Sequence, residues 1–144
     1  MSAPFQIRIL ERGDEGVLDN IAPDVFDDPI DARAAREFLG DPRHRLAVAI
    51  DGGVVVGFVS AVLYVHPDKP APELWINEVG VASSHQRRGI ARRLLAATLE
   101  DARGAGCSEA WVLTDRTNQA AMQLYEAAGG DPSGDHVMFT FRLG

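Results

Sequence analysis

Six consecutive residues, Gln86-Arg87-Arg88-Gly89-Ile90-Ala91, have the types and the setting to hold a phosphate. They follow an apolar run ending near Val81 and open a helical pattern. Small residues at Gly89 and Ala91 leave the first backbone N–H groups of that helix uncovered. Those groups lack an intrahelical partner and carry the positive end of the dipole, so an anion suits them. Arg87, Arg88, Arg92 and Arg93 crowd the same turn in a chain of net charge −7. A pyrophosphate cradle accounts for the combination. So does a plain strand–loop–helix corner with solvated arginines, because short Gly-containing signals recur by chance.

A second charge feature lies upstream. Between Asp14 and Asp41 stand Asp14, Glu15, Asp19, Asp24, Asp27, Asp28, Asp31, Glu37 and Asp41, against only Arg33 and Arg36. The stretch reads either as a solvated helical face or as an acidic cleft that steers a cationic substrate toward it. Glu78 is different because its surroundings are apolar. A carboxylate there must face a cleft or pair with an arginine, since burying it alone is costly. Neighbouring strand residues face opposite sides, so Asn77 and Glu78 share one pocket only if the strand bulges.

The chain of 144 residues predicts one domain spanning residues 1–144, with a substantial core. Its 46% hydrophobic and 24% charged residues are ordinary for a soluble globular protein. No run of eighteen apolar residues predicts a membrane span, and MSAPFQIRIL lacks the pattern of a secretory signal. The acidic balance argues against nucleic acid as a partner. One cysteine, Cys107, precludes an internal disulfide and fits the cytoplasm. His44, His66, His85 and His136 lack metal-ligand spacing, so no metal is expected.

The elements that must position these groups follow from pattern. Phe5 to Leu10 alternates as a strand, Gly13 to Ala22 reads as a short helix, and Asp31 caps a helix over Ala32 to Leu39. Leu46 to Ile50 and Val54 to Leu63 form a hairpin across Asp51-Gly52-Gly53. Tyr64 to Pro72, with three prolines, reads as a loop beside a substrate site. Glu73 to Ala82 is a strand, and Gly89 to about Arg103 a helix. Glu109 to Thr114 is a strand, Asn118 to Ala128 a helix, and Val137 to Leu143 a final strand. The order predicts an α/β chain with a single mixed, mostly antiparallel sheet and flanking helices.

Two of these segments carry a resemblance. Gln86-x-x-Gly89-x-Ala91 after a strand resembles the acetyl-CoA signature of the GNAT (Gcn5-related N-acetyltransferase) superfamily, Q/R-x-x-G-x-G/A. The run from Asn118 through Ala121, Leu124 and Tyr125 to Gly129 resembles that family's second signature, N-x-x-A-x-x-L-Y-x-x-x-G. Their order, spacing and flanking elements also match, over essentially the whole chain. Ala91 replaces a more frequent glycine, and Gly129-Gly130 stands where Gly-Phe is common. More loosely, Val25-Phe26-Asp27-Asp28-Pro29, Val55-Val56-Gly57 and Trp75 to Val81 are similar to the aminoglycoside 3-N-acetyltransferase branch.

The resemblance implies the GNAT-like acyl-CoA N-acyltransferase fold and acetyl transfer from acetyl-CoA to a primary amine by direct attack in a ternary complex. It implies that Arg87 to Ala91 receive the pyrophosphate, with Arg87, Arg88 or Arg92 adding charge and Gln86 opening the motif. Val79, Gly80 and Val81 would pair with the pantetheine arm, and Asn118 would bond it or cap its own helix. Tyr125 would be the general acid and Glu78 the base, directly or through water, or an anchor for the substrate ammonium, with Glu73 the weaker alternative. Asp27, Asp28 and Asp115 would meet the amines of a small cationic substrate, with aminoglycosides among the candidates. In the family, edge strands and the C-terminal strand offer a route to a homodimer. A protein N-terminal or lysine acetyltransferase and a non-catalytic acyl-CoA-binding module are the rivals. Cys107 reads as a structural thiol, and Trp75 and Trp111 as core or edge aromatics, Trp75 alternatively as a pocket wall.

Overall fold

The computed structural model describes residues 5–144. The first four residues, part of the stretch read above for a leader, lie outside it. Five strands form one sheet in the order β1-β2-β3-β4-β5: β1 Gln6–Ile9, β2 His44–Asp51, β3 Val54–His66, β4 Lys69–Val81 and β5 Glu109–Val112. The first four pair antiparallel, and β5 runs parallel to β4. The helices are α1 Ala32–Gly40, α2 Ile90–Gly104 and α3 Gln119–Ala127. The mixed, mostly antiparallel sheet is the one that the pattern predicts.

Residues paired across strands share a face, so the register sorts the core. Ala47, Ala49, Val59, Ala61, Leu74 and Ile76 fall on one face, and all are buried. The apolar stripe of α2 (Ile90, Leu94, Leu95 and Ala102) is buried as well. Gly57 lets that helix come close, because a Cβ there would meet Ile90 Cγ2 and Leu94 Cδ1 at 3.1 Å. Burying Ile90 or Leu94 contributes roughly 1.5–3 kcal/mol each. Arg45 of the same face ties β2 to the helix through Asp101 at 2.7 Å. The opposite face builds a second cluster from Leu46, Val48, Val55 and Phe58 with Leu10, Leu18, Val25, Leu39 and Ala82. Asp31 starts α1 by accepting from Ala34 N at 2.8 Å.

The β2–β3 turn holds Gly52 and Gly53 at φ of 57° and 80°, the two left-handed positions of a type I′ hairpin. Two expectations change in the first unit of the chain. The helix expected over Gly13 to Ala22 is a short 3₁₀ turn, Glu15–Asp19, that begins after Gly13 at positive φ. The expected loop from Tyr64 to Pro72 is instead a continued β3–β4 hairpin. Pairing runs from Tyr64↔Glu73 to His66↔Lys69 with a register shift between them, and Pro70 and Pro72 fall inside it. A proline is tolerated where the ladder is irregular and needs no N–H.

Contacts divide the chain into two compact units, Met1–Leu113 and Thr114–Gly144. In the second, Asn118 caps α3 by accepting from Ala121 N at 3.1 Å. Ala121, Met122, Leu124 and Tyr125 form the less exposed stripe of the helix. Gly129 at φ 93° closes it, and Gly130 N donates to Tyr125 O at 2.9 Å. Val137 to Leu143, expected as a strand, has no strand pairing among the described residues. An alternating segment becomes a strand only where a neighbouring edge supplies its hydrogen bonds.

Candidate functional site

The site begins with a slip in β4. Ser60 pairs with Glu78 while the next residue of β3, Ala61, pairs with Ile76, so Asn77 is an extra residue. In a regular strand Ile76 and Glu78 would point the same way. The bulge at Asn77 separates them: Ile76 stays with buried Ala61, and Glu78 joins the face of Ser60 and Phe58. Glu78, Ser60 and Phe58 then line a cavity of about 380 Å³ with Phe26, Asp27, Asp28 and Phe38. Among the described residues no cation pairs with Glu78, so its carboxylate is available to a ligand.

That cavity adjoins a larger one of about 860 Å³; Leu18, Phe26, Asp27, Asp28 and Pro29 line both. Glu15, Asp19, Asp24, Asp27 and Asp28 line the larger cavity against one base, Arg36. Five of the nine upstream acids thus line a cleft, while Asp14, Glu37 and Asp41 pair with Arg8, Arg33 and Arg43 instead. A concave acidic surface with Phe26 stacked on Phe58 at 4.0 Å suits an ammonium carried on an apolar or sugar-like body.

Beyond Ile76↔Val112, β4 and β5 have no further paired residues, although β4 stays paired with β3 as far as Val81. β5 ends there, so Val79, Gly80 and Val81, all partly exposed, have no strand beside them on that side among the described residues. The unpaired β4 edge leaves backbone N–H and C=O groups for an extended ligand to bond. Gly80 is forced by packing, because a Cβ there would stand 2.5 Å from Val25 O and 2.7 Å from Phe58 Cε1. The close approach that its lack of a side chain allows is made by the chain itself.

The strand hands over to a second 3₁₀ turn, Ser83–His85, and then to the loop before α2. Arg87 at φ 66° and Gly89 at φ 78° are both left-handed. Alternation of this kind turns neighbouring N–H groups into one concavity. For Arg87 it costs roughly 1–2 kcal/mol. Gly89 is the N-cap of α2 and offers no side-chain cap, and nothing lies within 4 Å of where its Cβ would be. The helix's first N–H groups are left for an outside acceptor. Gln86 Nε2 reaches back to Val81 O at 3.4 Å. Arg93 is diverted, its guanidinium 4.6 Å over the Phe5 ring, and Arg88 stands 3.8 Å from Asp51. Arg87 and Arg92 have no ion partner among the described residues.

The chain is identified by comparison. The model of the acetyltransferase (GNAT) family matches residues 15–130. The chain belongs to the GNAT family. N-alpha-acetyltransferase RimI of Mycobacterium tuberculosis is 34% identical over 128 residues, 88% of this chain and 78% of that protein. Rat N-acetyltransferase 8 and its family 8 member 2 are longer, and the chain spans 48% and 40% of their length. An aminoglycoside acetyltransferase from an uncultured soil metagenomic sample, solved with trehalose, superposes with a TM-score of 0.83 at 21% identity, covering 97% of each chain. Aminoglycoside N-acetyltransferase AAC(6')-Iy, solved with CoA, gives 0.75 at 22%, covering 99% of this chain and 98% of its own. At those identities the two structures establish the GNAT fold.

Within this GNAT chain the first unit gathers Glu78, Asp27 and Asp28 around one cavity and carries Val79–Val81 and Gln86–Arg92 at the unpaired strand edge and helix mouth. Asn118, Tyr125 and Asp115 belong to the second unit: Asn118 as a cap, Tyr125 half-buried on α3, and Asp115 accepting through its carbonyl from Asn118 N at 2.9 Å. Burial pushes the Tyr125 phenol up from its ordinary value. Sequence reasoning missed Phe26 and Ser60 as cavity walls. A lone serine in the apolar run Val54 to Leu63 was a visible signal for the second; the first had none beyond its neighbouring aspartates.

Proposed function

We propose that this chain moves an acetyl group from acetyl-CoA to a primary amine of a small cationic substrate, by direct attack within a ternary complex. Acetyl-CoA supplies the thioester. Val79–Val81 offer their free backbone edge to the pantetheine arm, and Arg87–Ala91, with Gln86, Arg88 and Arg92, receive the diphosphate. The open helix mouth, the left-handed pair at 87 and 89 and the unpaired β4 edge support that fit. Glu78 takes a proton from the substrate ammonium, directly or through water, and Tyr125 returns one to the departing sulfur. Asn118 bonds the pantetheine, and Asp27, Asp28 and Asp115 hold further amines.

The observation that carries this reading is the bulge at Asn77, which turns Glu78 into the smaller cavity beside Asp27 and Asp28. A base there faces a positively charged acceptor just where the acyl-carrier strand loses its neighbour. The test is thiol release from acetyl-CoA across a panel of aminoglycosides, polyamines and peptides, for the wild type and Glu78→Gln. Turnover with at least one amine is expected, and Glu78→Gln should lower kcat about a hundredfold or more. An unchanged rate in the variant removes Glu78 from the chemistry. A panel without turnover, despite acetyl-CoA binding, favours the non-catalytic module.

One observation favours a second reading. The RimI relative is named an N-alpha-acetyltransferase and aligns over most of both chains. A peptide's N-terminal ammonium would suit the same cleft. Preference for peptides over aminoglycosides in the panel decides for it. The single-domain reading is supported by the family match, which runs across the boundary between the two units. The cytoplasm, where acetyl-CoA is plentiful, is the proposed location. Among the described residues no helix is long and apolar enough to cross a membrane.

A further inference from the structure

We infer that Asp24 and Asp51 are positioning residues that clamp the loop from Ser83 to Gly89 from two sides, setting its backbone for a diphosphate before the ligand arrives. The inference rests on the reading that this loop takes the diphosphate of acetyl-CoA. Asp24 grips the loop's start twice: Ser83 N donates to Oδ1 at 3.1 Å and Ser83 Oγ donates to Oδ2 at 2.6 Å. Asp51, in the β2–β3 turn, holds its middle. Its Oδ2 lies 2.8 Å from His85 Nε2 and 3.8 Å from Arg88 Nη1, while His85 Nδ1 meets Ser84 Oγ at 2.8 Å. Two segments far from it in sequence thus converge on one short loop.

The loop needs such restraint. Gln86, Arg87, Arg88 and Gly89 are all exposed, so no core packing fixes them. Arg87 is nevertheless held at φ 66°, a conformation that an L-residue keeps only when its surroundings over-determine it. The two carboxylates supply fixed points on one side of that residue, and α2, anchored by buried Ile90, supplies the other.

Two carboxylates beside an anion site could equally be a nuisance, repelling the phosphates. The opposing signs make the inference testable. If Asp24 and Asp51 act mainly as charges, removing them tightens CoA binding; if they act as clamps, removing them weakens it. Geometry favours the clamp. Both Asp24 oxygens are engaged by Ser83, and Asp51 is engaged by His85. Charge-assisted hydrogen bonds of this kind outweigh a solvent-screened repulsion. The contact to Arg88 is longer, so that side chain can leave for a phosphate while His85 stays bonded.

The experiment compares wild type, Asp51→Ala and Asp24→Gly. Glycine is chosen at 24 because Asp24 sits at φ 58°, where alanine would add strain of its own. Binding of CoA and of pantetheine, which lacks the diphosphate, is measured by calorimetry. Turnover of acetyl-CoA and of S-acetyl-pantetheine is measured with an acceptor from the panel. The wild type should favour the CoA form. Each variant should bind CoA about tenfold more weakly, and Asp51→Ala, which lies outside both cavities, should also raise KM for acetyl-CoA by a similar factor and keep kcat within about twofold. Pantetheine binding should stay level and reports that the site is folded. A variant that keeps or gains CoA affinity overturns the clamp alone. A wild type indifferent to the diphosphate overturns the cradle reading, and the clamp with it.

Discussion

Burial keeps the Tyr125 phenol protonated beyond its usual value of about 10. The sign matters for how its role can be tested. A raised value in the folded chain means that folding favours the neutral phenol. That contribution to stability is complete below the unfolded value and is lost as pH rises through the folded one. Between pH 6 and 9 the hydroxyl therefore neither titrates nor destabilises the chain, and it keeps its proton, as the proposed general acid must. Tyr125→Phe should lower kcat by roughly 10²- to 10⁴-fold while leaving the Kd for CoA unchanged. The kcat–pH curve over that range should be scaled down without a change of shape, because the lost group has no ionisation there. A variant with wild-type kcat would take Tyr125 out of the mechanism. Burial likewise pushes the Cys107 thiol up, which lowers its thiolate fraction and fits the structural reading.

At the scale of elements, the turn and cap chemistry was legible. Asp51-Gly52-Gly53, the Asp31 cap and the Asn118 cap are local devices, and each stands where the residue types put it. The bulge at Asn77 was not legible, because it is a mismatch between β3 and β4 and neither strand's own sequence records it. Alternation showed only that Asn77 and Glu78 cannot share a pocket in a regular strand. Pairing decided which one enters. The clamp was hidden for the same reason: Asp24 and Ser83 are 59 residues apart, and Asp51 and His85 are 34. Gly80 shows what such long-range contacts require. Gly80→Ala would place a methyl against Val25 O and the Phe58 ring, and neither is the free end of a flexible side chain. Overpacking there should cost roughly 1–3 kcal/mol and push the Val25–Phe26 segment outward. A lower Tm is expected, with a raised acceptor KM because Phe26 walls both cavities. An alanine variant with wild-type Tm would show that the segment gives way freely.

For the molecule as a whole, charge and apolar surface are both unevenly spread. Carboxylates line the cleft while the helix mouth is basic, so an anionic and a cationic ligand would be drawn to different places by opposite fields. The apolar surface gathers at Val137, Met138, Phe139, Phe141 and Leu143, whose exposures run from 75% to 95%. Each such side chain gains roughly 1.5–3 kcal/mol when buried, far more than a lone chain forgoes without consequence. Their spacing puts Val137, Phe139, Phe141 and Leu143 on one side of an extended segment. The expected cover is a second copy of the chain. Light scattering should then report a homodimer at micromolar concentration, and truncation after His136 should give a monomer. A chain of residues 1–144 that is monomeric at 100 µM would overturn that expectation and leave cover from within its own chain as the alternative. Protection of its amides from hydrogen exchange, independent of concentration, would identify that arrangement.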